Sequence, residues 1–149
     1  MLNLLLVIVL LVATTVVMHA FGTVFWMRYL GRRYIGADGQ FKSHKTLPAV
    51  TWTAVWLLML HLLEVVIWAV FYLLITPVEE IGTFEEAVYF SVVTFTTLGY
   101  GDITLADHQW RLLSGAEALN GVLLVGWSTA LLFAVVQRCW GGAVKAHAK

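Results

Sequence analysis

Of the 149 residues, 60% are hydrophobic and only 12% charged, with a mean hydropathy of +0.84 and no net formal charge. A soluble domain carries about twice that share of charge, so the chain reads as an integral membrane protein, and the lack of a basic surplus speaks against a nucleic-acid partner. The one cysteine, Cys139, excludes an intrachain disulfide and a cysteine-based metal site.

The first element is an apolar stretch over 1–27, long enough to span a bilayer, which takes roughly 20 mostly apolar residues. A cleaved signal peptide is the rival reading, with Met18-His19-Ala20 as a weak cleavage site. That reading is set aside because no Lys or Arg precedes the apolar run, which also exceeds the h-region of about 7 to 15 residues. The segment 28–47 that follows holds Arg28, Arg32, Arg33, Lys42 and Lys45 against a lone Asp38. Such a basic loop is expected on the cytoplasmic side, with the N-terminus outside. A second spanning helix is predicted over 48–76.

Glu79, Glu80, Glu85, Glu86, Asp102 and Asp107, balanced only by Arg111, mark the next connection as external. Inside it, Thr83-Phe84-Glu85-Glu86 has the form of a capping box and opens a short helix over 83–96. Its apolar part, Phe84 to Phe95, is too short to span at about 18 Å, so it is expected to enter the membrane and turn back. The run Thr96-Thr97-Leu98-Gly99-Tyr100-Gly101-Asp102 comes next, non-helical at membrane depth, which is tolerated only where backbone is buried in protein or lines a watery cavity. A third spanning helix covers 112–137, and the tail 138–149 carries Arg138, Lys145 and Lys149 on the cytoplasmic side. Trp26, Trp52, Trp110 and Trp140 fall near helix ends as interfacial anchors.

Carbonyls freed from helical bonding in a re-entrant loop need a partner, and a dehydrated cation is one. Gly99 and Gly101 tolerate positive φ and let consecutive carbonyls face a common axis, with Leu98 and Tyr100 directed away from it. Thr97 adds a hydroxyl oxygen, and the C-terminus of the short helix favours a cation. One chain supplies too few oxygens, so several copies must surround the axis.

Phe84 to Gly126 resembles the pore module of potassium channels, and TTLGYGD is similar to their selectivity filter. Tyr89 and Phe90 on the pore helix, Trp110-Arg111 before the inner helix, and Gly121 at the usual hinge position extend the resemblance. It implies an all-α transmembrane fold: outer helix 48–76, pore helix 83–96, filter 97–102 and inner helix 112–137, preceded by an extra N-terminal helix. It further implies a homotetramer in the cell membrane that passes K+ passively. The ions are coordinated at Thr97, Leu98, Gly99, Tyr100 and Gly101, no other cofactor is needed, and the protein is not an enzyme. Thr96, Asp102, Tyr89, Phe90, Trp110 and Glu117 are expected to support the filter and outer mouth. The rival functions are a poorly selective cation channel and a non-conducting scaffold or transporter subunit.

Leu98 stands where Val or Ile is more frequent, and Val93 where some relatives carry a Glu that bonds the filter Asp. Asp102 is therefore expected either to accept from the Trp110 indole or to remain a solvated charge at the mouth. Glu117 is either a carboxyl packed on the pore helix or a proton-sensitive brace, and Asn120 lines a cavity or bonds a neighbouring helix. Gly121 serves as hinge or as packing site. His61 and Glu64, three apart, share a helix face and pair with each other, with His19 or with the third helix. Arg28, Arg32 and Arg33 also suit anionic lipid headgroups. No Arg-repeat voltage-sensing helix is present, and no cytoplasmic ligand-binding domain is expected after the last helix.

Overall fold

The computed structural model describes residues 2–34, 36, 46–75 and 81–147. Asp38, Lys42, Lys45, Glu79, Glu80 and Lys149, used above for the charge pattern, lie outside the described residues. The described chain is all-α: α1 (Leu2–Tyr34), α2 (Thr46–Ile75), α3 (Phe84–Phe95) and α4 (His108–His147). Three helices are long and apolar enough to cross a membrane, over Leu2–Tyr34, Thr46–Leu74 and Trp110–Trp140. Helical folding of these stretches is what a bilayer demands, since it satisfies every backbone polar group within the segment.

The helices outrun the apolar spans read from hydropathy. α1 continues through Arg28, Arg32 and Arg33, placing the last two in its final turn, where cations complement the partial negative charge of a helix C-terminus. α4 starts at His108, ahead of the apolar span, and continues through Gly141 and Gly142. Hydropathy measures where lipid can begin, whereas helix ends are set by capping and local bonding.

Two compact units divide the chain, and three helices contribute to both. The first unit combines α1 as far as Met18 with His61–Val125. Its core is Val65, Trp68, Ala69 and Tyr72 of α2, Ala87, Phe90 and Phe95 of α3, and Leu113 and Leu124 of α4, with the Tyr72 and Phe90 rings edge to face at 5.0 Å. Leu4, Val7, Ile8, Leu11, Val12 and Val16 of α1 pack on it as one helical stripe. The second unit takes the rest of α1, α2 as far as Leu60, and α4 from Gly126. Its core is Trp26, Leu30, Tyr34, Ala49, Val135 and Cys139. There the Trp26 indole donates to the Thr53 hydroxyl at 2.9 Å, and the Trp56 indole to the Gly22 carbonyl at 3.1 Å.

Candidate functional site

The site is built outward from the N-terminus of α3. Thr83 adopts extended backbone, its hydroxyl accepts from the Glu86 amide at 3.2 Å, and the Glu86 carboxylate accepts from the Thr83 amide at 3.0 Å. A further bond from the Gly82 amide at 3.0 Å is the largest of the influences that hold the Glu86 carboxyl below its ordinary pKa. This capping box satisfies the first free amides and fixes where the helix begins.

α3 ends at Phe95, twelve residues on, and the chain then folds back on its last turn. The Thr96 hydroxyl donates to the Val92 carbonyl at 2.6 Å and the Thr97 amide to the Thr94 carbonyl at 2.9 Å. The Val93 carbonyl accepts two amides, Leu98 at 2.9 Å and Gly99 at 3.2 Å. Val93 thus anchors the loop through its main chain, a role its side chain does not advertise.

Beyond this anchor φ is positive at Thr97 (+59°), Gly99 (+54°) and Gly101 (+80°), and negative at Leu98 and Tyr100 between them. Alternating handedness gathers successive amides on one side of a strand and turns the carbonyls to the other. Glycine accepts this geometry freely, but threonine does not. A β-branched residue in the left-handed region costs about 1–3 kcal/mol and persists only where its surroundings enforce it. The sequence marks the glycines but gives no sign of the strain at Thr97.

The side chains between the left-handed positions are uncovered. Leu98 is 55% exposed and Tyr100 67%. Beside them lies a cleft of about 440 Å³ lined by Tyr89, Phe90, Val93, Gly99, Asp102 and Arg111 among others. Arg111 Nε donates to the Leu105 carbonyl at 3.0 Å and ties the end of the loop to the first turns of α4.

Asp102 stays exposed at the outer end of the loop, and its hydrogen bond does not come from Trp110. Its carboxylate accepts from the Tyr89 hydroxyl at 2.6 Å, so the loop is braced to α3 by a phenol. That bond is the main cause holding the Asp102 carboxyl below its ordinary pKa, and the same bond raises the Tyr89 phenol. Trp110 Nε1 is buried without a hydrogen-bond partner among the described residues. The indole stands in the first turn of α4, while the Tyr89 hydroxyl reaches the loop from α3.

Behind α3, Glu117 of α4 is fully buried and faces Tyr72 of α2 and Ser91 of α3. Asn120 is also buried, and its amide donates to Thr15 of α1 at 2.8 Å, the helix-to-helix arrangement of the two weighed from sequence. At Gly121 a Cβ would overlap the Phe95 carbonyl oxygen, so α4 touches the end of α3 through bare backbone. His61 Nδ1 lies 2.8 Å from the Glu64 carboxylate, with its ring 5.9 Å from that of Phe95. Thr15 and Phe95 were missed from sequence, and Val93 was noted only for the Glu that some relatives carry there. For Thr15 the available signal was a polar residue inside the apolar stripe at i, i+3, i+4 spacing.

A protein-family model described as "Ion channel" matches residues 58–138, more than half of the chain. The chain is 34% identical over 71 residues to TWiK family of potassium channels protein 18 of Caenorhabditis elegans, covering 48% of this chain and 15% of that protein. It is 46% identical over 41 residues to Two-pore potassium channel 1 of Arabidopsis thaliana, covering 28% and 11%. A cyclic nucleotide-gated potassium channel of Mesorhizobium japonicum is 33% identical over 54 residues, covering 36% and 15%. The chain therefore spans only a small part of the length of these relatives. No solved structure matches.

Proposed function

The chain belongs to the ion-channel family, a family of channels and not of enzymes, and from that premise we propose that it is a K+-selective channel subunit working as a homotetramer. α2, α3 and α4 act as outer, pore and inner helices, and residues 97–102 form the filter. The observation that carries this reading is the left-handed alternation at Thr97, Gly99 and Gly101, placed directly after a helix too short to span. That alternation turns successive carbonyls to one side, and four copies around an axis would stack rings of oxygens from Thr97, Leu98, Gly99, Tyr100 and Gly101. The Thr97 hydroxyl adds a further ring, and the C-terminal end of α3 contributes negative potential below it. The K+ these rings would hold is the permeating ion rather than a resident cofactor.

Exposure of Leu98 and Tyr100 supports assembly. Apolar side chains of this size on a loop braced at both ends are covered once neighbouring copies close around them, and the cleft beside α3 offers space for such a neighbour's residues. The Tyr89–Asp102 bond keeps the outer end of the filter attached to the pore helix. Three spanning helices make the chain a multi-pass membrane protein. The cations at the end of α1 favour a cytoplasmic position for that end, an orientation with the N-terminus outside and the C-terminus inside.

Purified protein in K+-loaded liposomes tests the reading. Flux of K+ well above Na+, from material that sizes as a tetramer in detergent, is expected. Equal passage of both ions rules out the selective filter, and a monomer rules out the pore.

A further inference from the structure

The family match begins at residue 58, so α1 lies wholly outside it and nothing in the comparisons gives this helix a role. In the first unit its inner stripe is apolar at Leu4, Val7, Ile8, Leu11, Val12 and Val16, with one polar interruption, Thr15. Thr15 is fully buried. Its hydroxyl donates within α1 to the Val12 carbonyl at 3.0 Å or the Leu11 carbonyl at 3.1 Å, and accepts from the Asn120 amide at 2.8 Å. Asn120 Oδ1 is buried with no partner among the described residues, so this amide has been taken out of water for one bond to α1. Two apolar helices slide past one another at little cost, but a single buried polar pair fixes their register.

The position of this bond matters. Asn120 is followed by Gly121, the residue at which α4 lies against the Phe95 carbonyl at the end of α3. Two residues before Phe95, the Val93 carbonyl holds the amides of Leu98 and Gly99. Thr15 thus bonds Asn120, whose chain neighbour Gly121 meets Phe95, and Val93 on the same helix as Phe95 holds the start of the loop.

We propose that α1 is an integral part of the conducting unit, and that it sets the position of α4 against the end of α3 through the Thr15–Asn120 bond. Asn120 is a positioning residue that faces α1 and does not line the ion pathway. The inference rests on the channel reading for its effect on selectivity, while the register-fixing bond stands independently of conduction.

A double-mutant cycle tests it. Thr15→Val and Asn120→Leu should each lower the K+ over Na+ flux ratio by about threefold to tenfold, the range expected for one interhelical hydrogen bond, and the double variant should lower it no further. Thr15→Ser, which keeps the hydroxyl, should restore the wild-type ratio. Additive losses, or wild-type ratios in both single variants, overturn the proposal. In a Cys139→Ser background, Asn120→Cys should be insensitive to a charged thiol reagent applied from the cytoplasmic side. Block of current by that reagent would place residue 120 in the ion pathway and overturn it as well. Should wild-type liposomes pass no K+, the channel reading falls, and the same cycle read in thermal unfolding decides the bond. Each single variant should lower Tm by about 2–4 °C, the double by no more, and additivity refutes the link.

Discussion

The two units of the molecule treat their buried polar groups in opposite ways. In the second unit, Trp26 bonds Thr53, Thr53 bonds the Ala49 carbonyl, Trp56 bonds the Gly22 carbonyl, and Ser128 lies 3.3 Å from His19. The Trp26 and Trp56 rings stack at 5.2 Å and 10° around these bonds, and of the buried side chains only the Thr23 hydroxyl lacks a partner there among the described residues. In the first unit, Trp68 Nε1, Trp110 Nε1 and Asn120 Oδ1 are buried without partners among the described residues, Thr97 is strained, and Leu98 and Tyr100 stand uncovered. Satisfied polar groups serve stability, whereas strain and unmet polar capacity concentrate at functional regions of proteins, which agrees with the filter proposed in the first unit.

That contrast is broken first at Gly99. Within one chain an added Cβ meets no atom within 4 Å there, so the intrachain effect of Gly99→Ala is conformational. A Cβ in the left-handed region costs about 1–2 kcal/mol in each subunit, and repeated around a tetramer this should reduce K+ flux in liposomes to background while the protein still sizes as the wild type. Flux at the wild-type level would remove the filter assignment.

A glycine series compares the units directly. Gly121→Ala forces its methyl onto the Phe95 main chain, which has little room to yield, and should destabilise by about 1–3 kcal/mol. Gly22→Ala in the second unit meets only the Leu60 side-chain tip at 2.6 Å, which can rotate away, so its loss should be smaller. Gly126→Ala meets nothing within 4 Å inside α4 and should stabilise by up to about 1 kcal/mol through helix propensity. Thermal unfolding in detergent orders the three, and a Gly121→Ala variant as stable as Gly126→Ala would disprove the close contact.

Thr97→Gly relieves the strained φ and should raise stability by about 1 kcal/mol, while removal of the hydroxyl weakens K+ selectivity. A variant gaining both, measured by unfolding and by flux ratio, would show that the strain serves nothing.

The smallest effect is expected at the mouth. The Asp102 carboxyl is lowered by its bond from Tyr89, so the stabilisation it provides is present above the ordinary carboxylate pKa and fades as pH falls through the lower folded value. The Tyr89 phenol is raised, so its share is present below its ordinary pKa and fades as pH climbs through the folded value. The brace is therefore at full strength between the ordinary carboxylate and phenol ranges and is lost only beyond them. Tyr89→Phe should return the Asp102 titration upward toward an ordinary carboxyl when followed by infrared spectroscopy, and an unmoved titration would dismiss the brace.

Much was legible in the sequence because the physics involved is local. A capping box needs four consecutive residues, a spanning helix needs an unbroken apolar run, and left-handed backbone announces itself through Gly99 and Gly101. The partner of Asp102 was not legible, because Tyr89 and Trp110 both offer a donor and only the approach of α3 to the loop decides between them. Thr97 misled in the other direction, since nothing in a threonine predicts positive φ until the bonds to Val93 and Thr94 force it.

By itself the chain determined that it is helical, that it lives in a membrane, and that a short capped helix leads into a glycine-punctuated loop, since each of these follows from composition and near-neighbour chemistry. Tertiary structure alone decided that Asn120 faces Thr15, that Gly121 lies on the Phe95 carbonyl, and that Glu117 faces Tyr72 and Ser91. An apolar helix can turn any face toward its neighbours at nearly equal cost in lipid, so its few polar and small residues acquire a meaning only once packing has chosen the face.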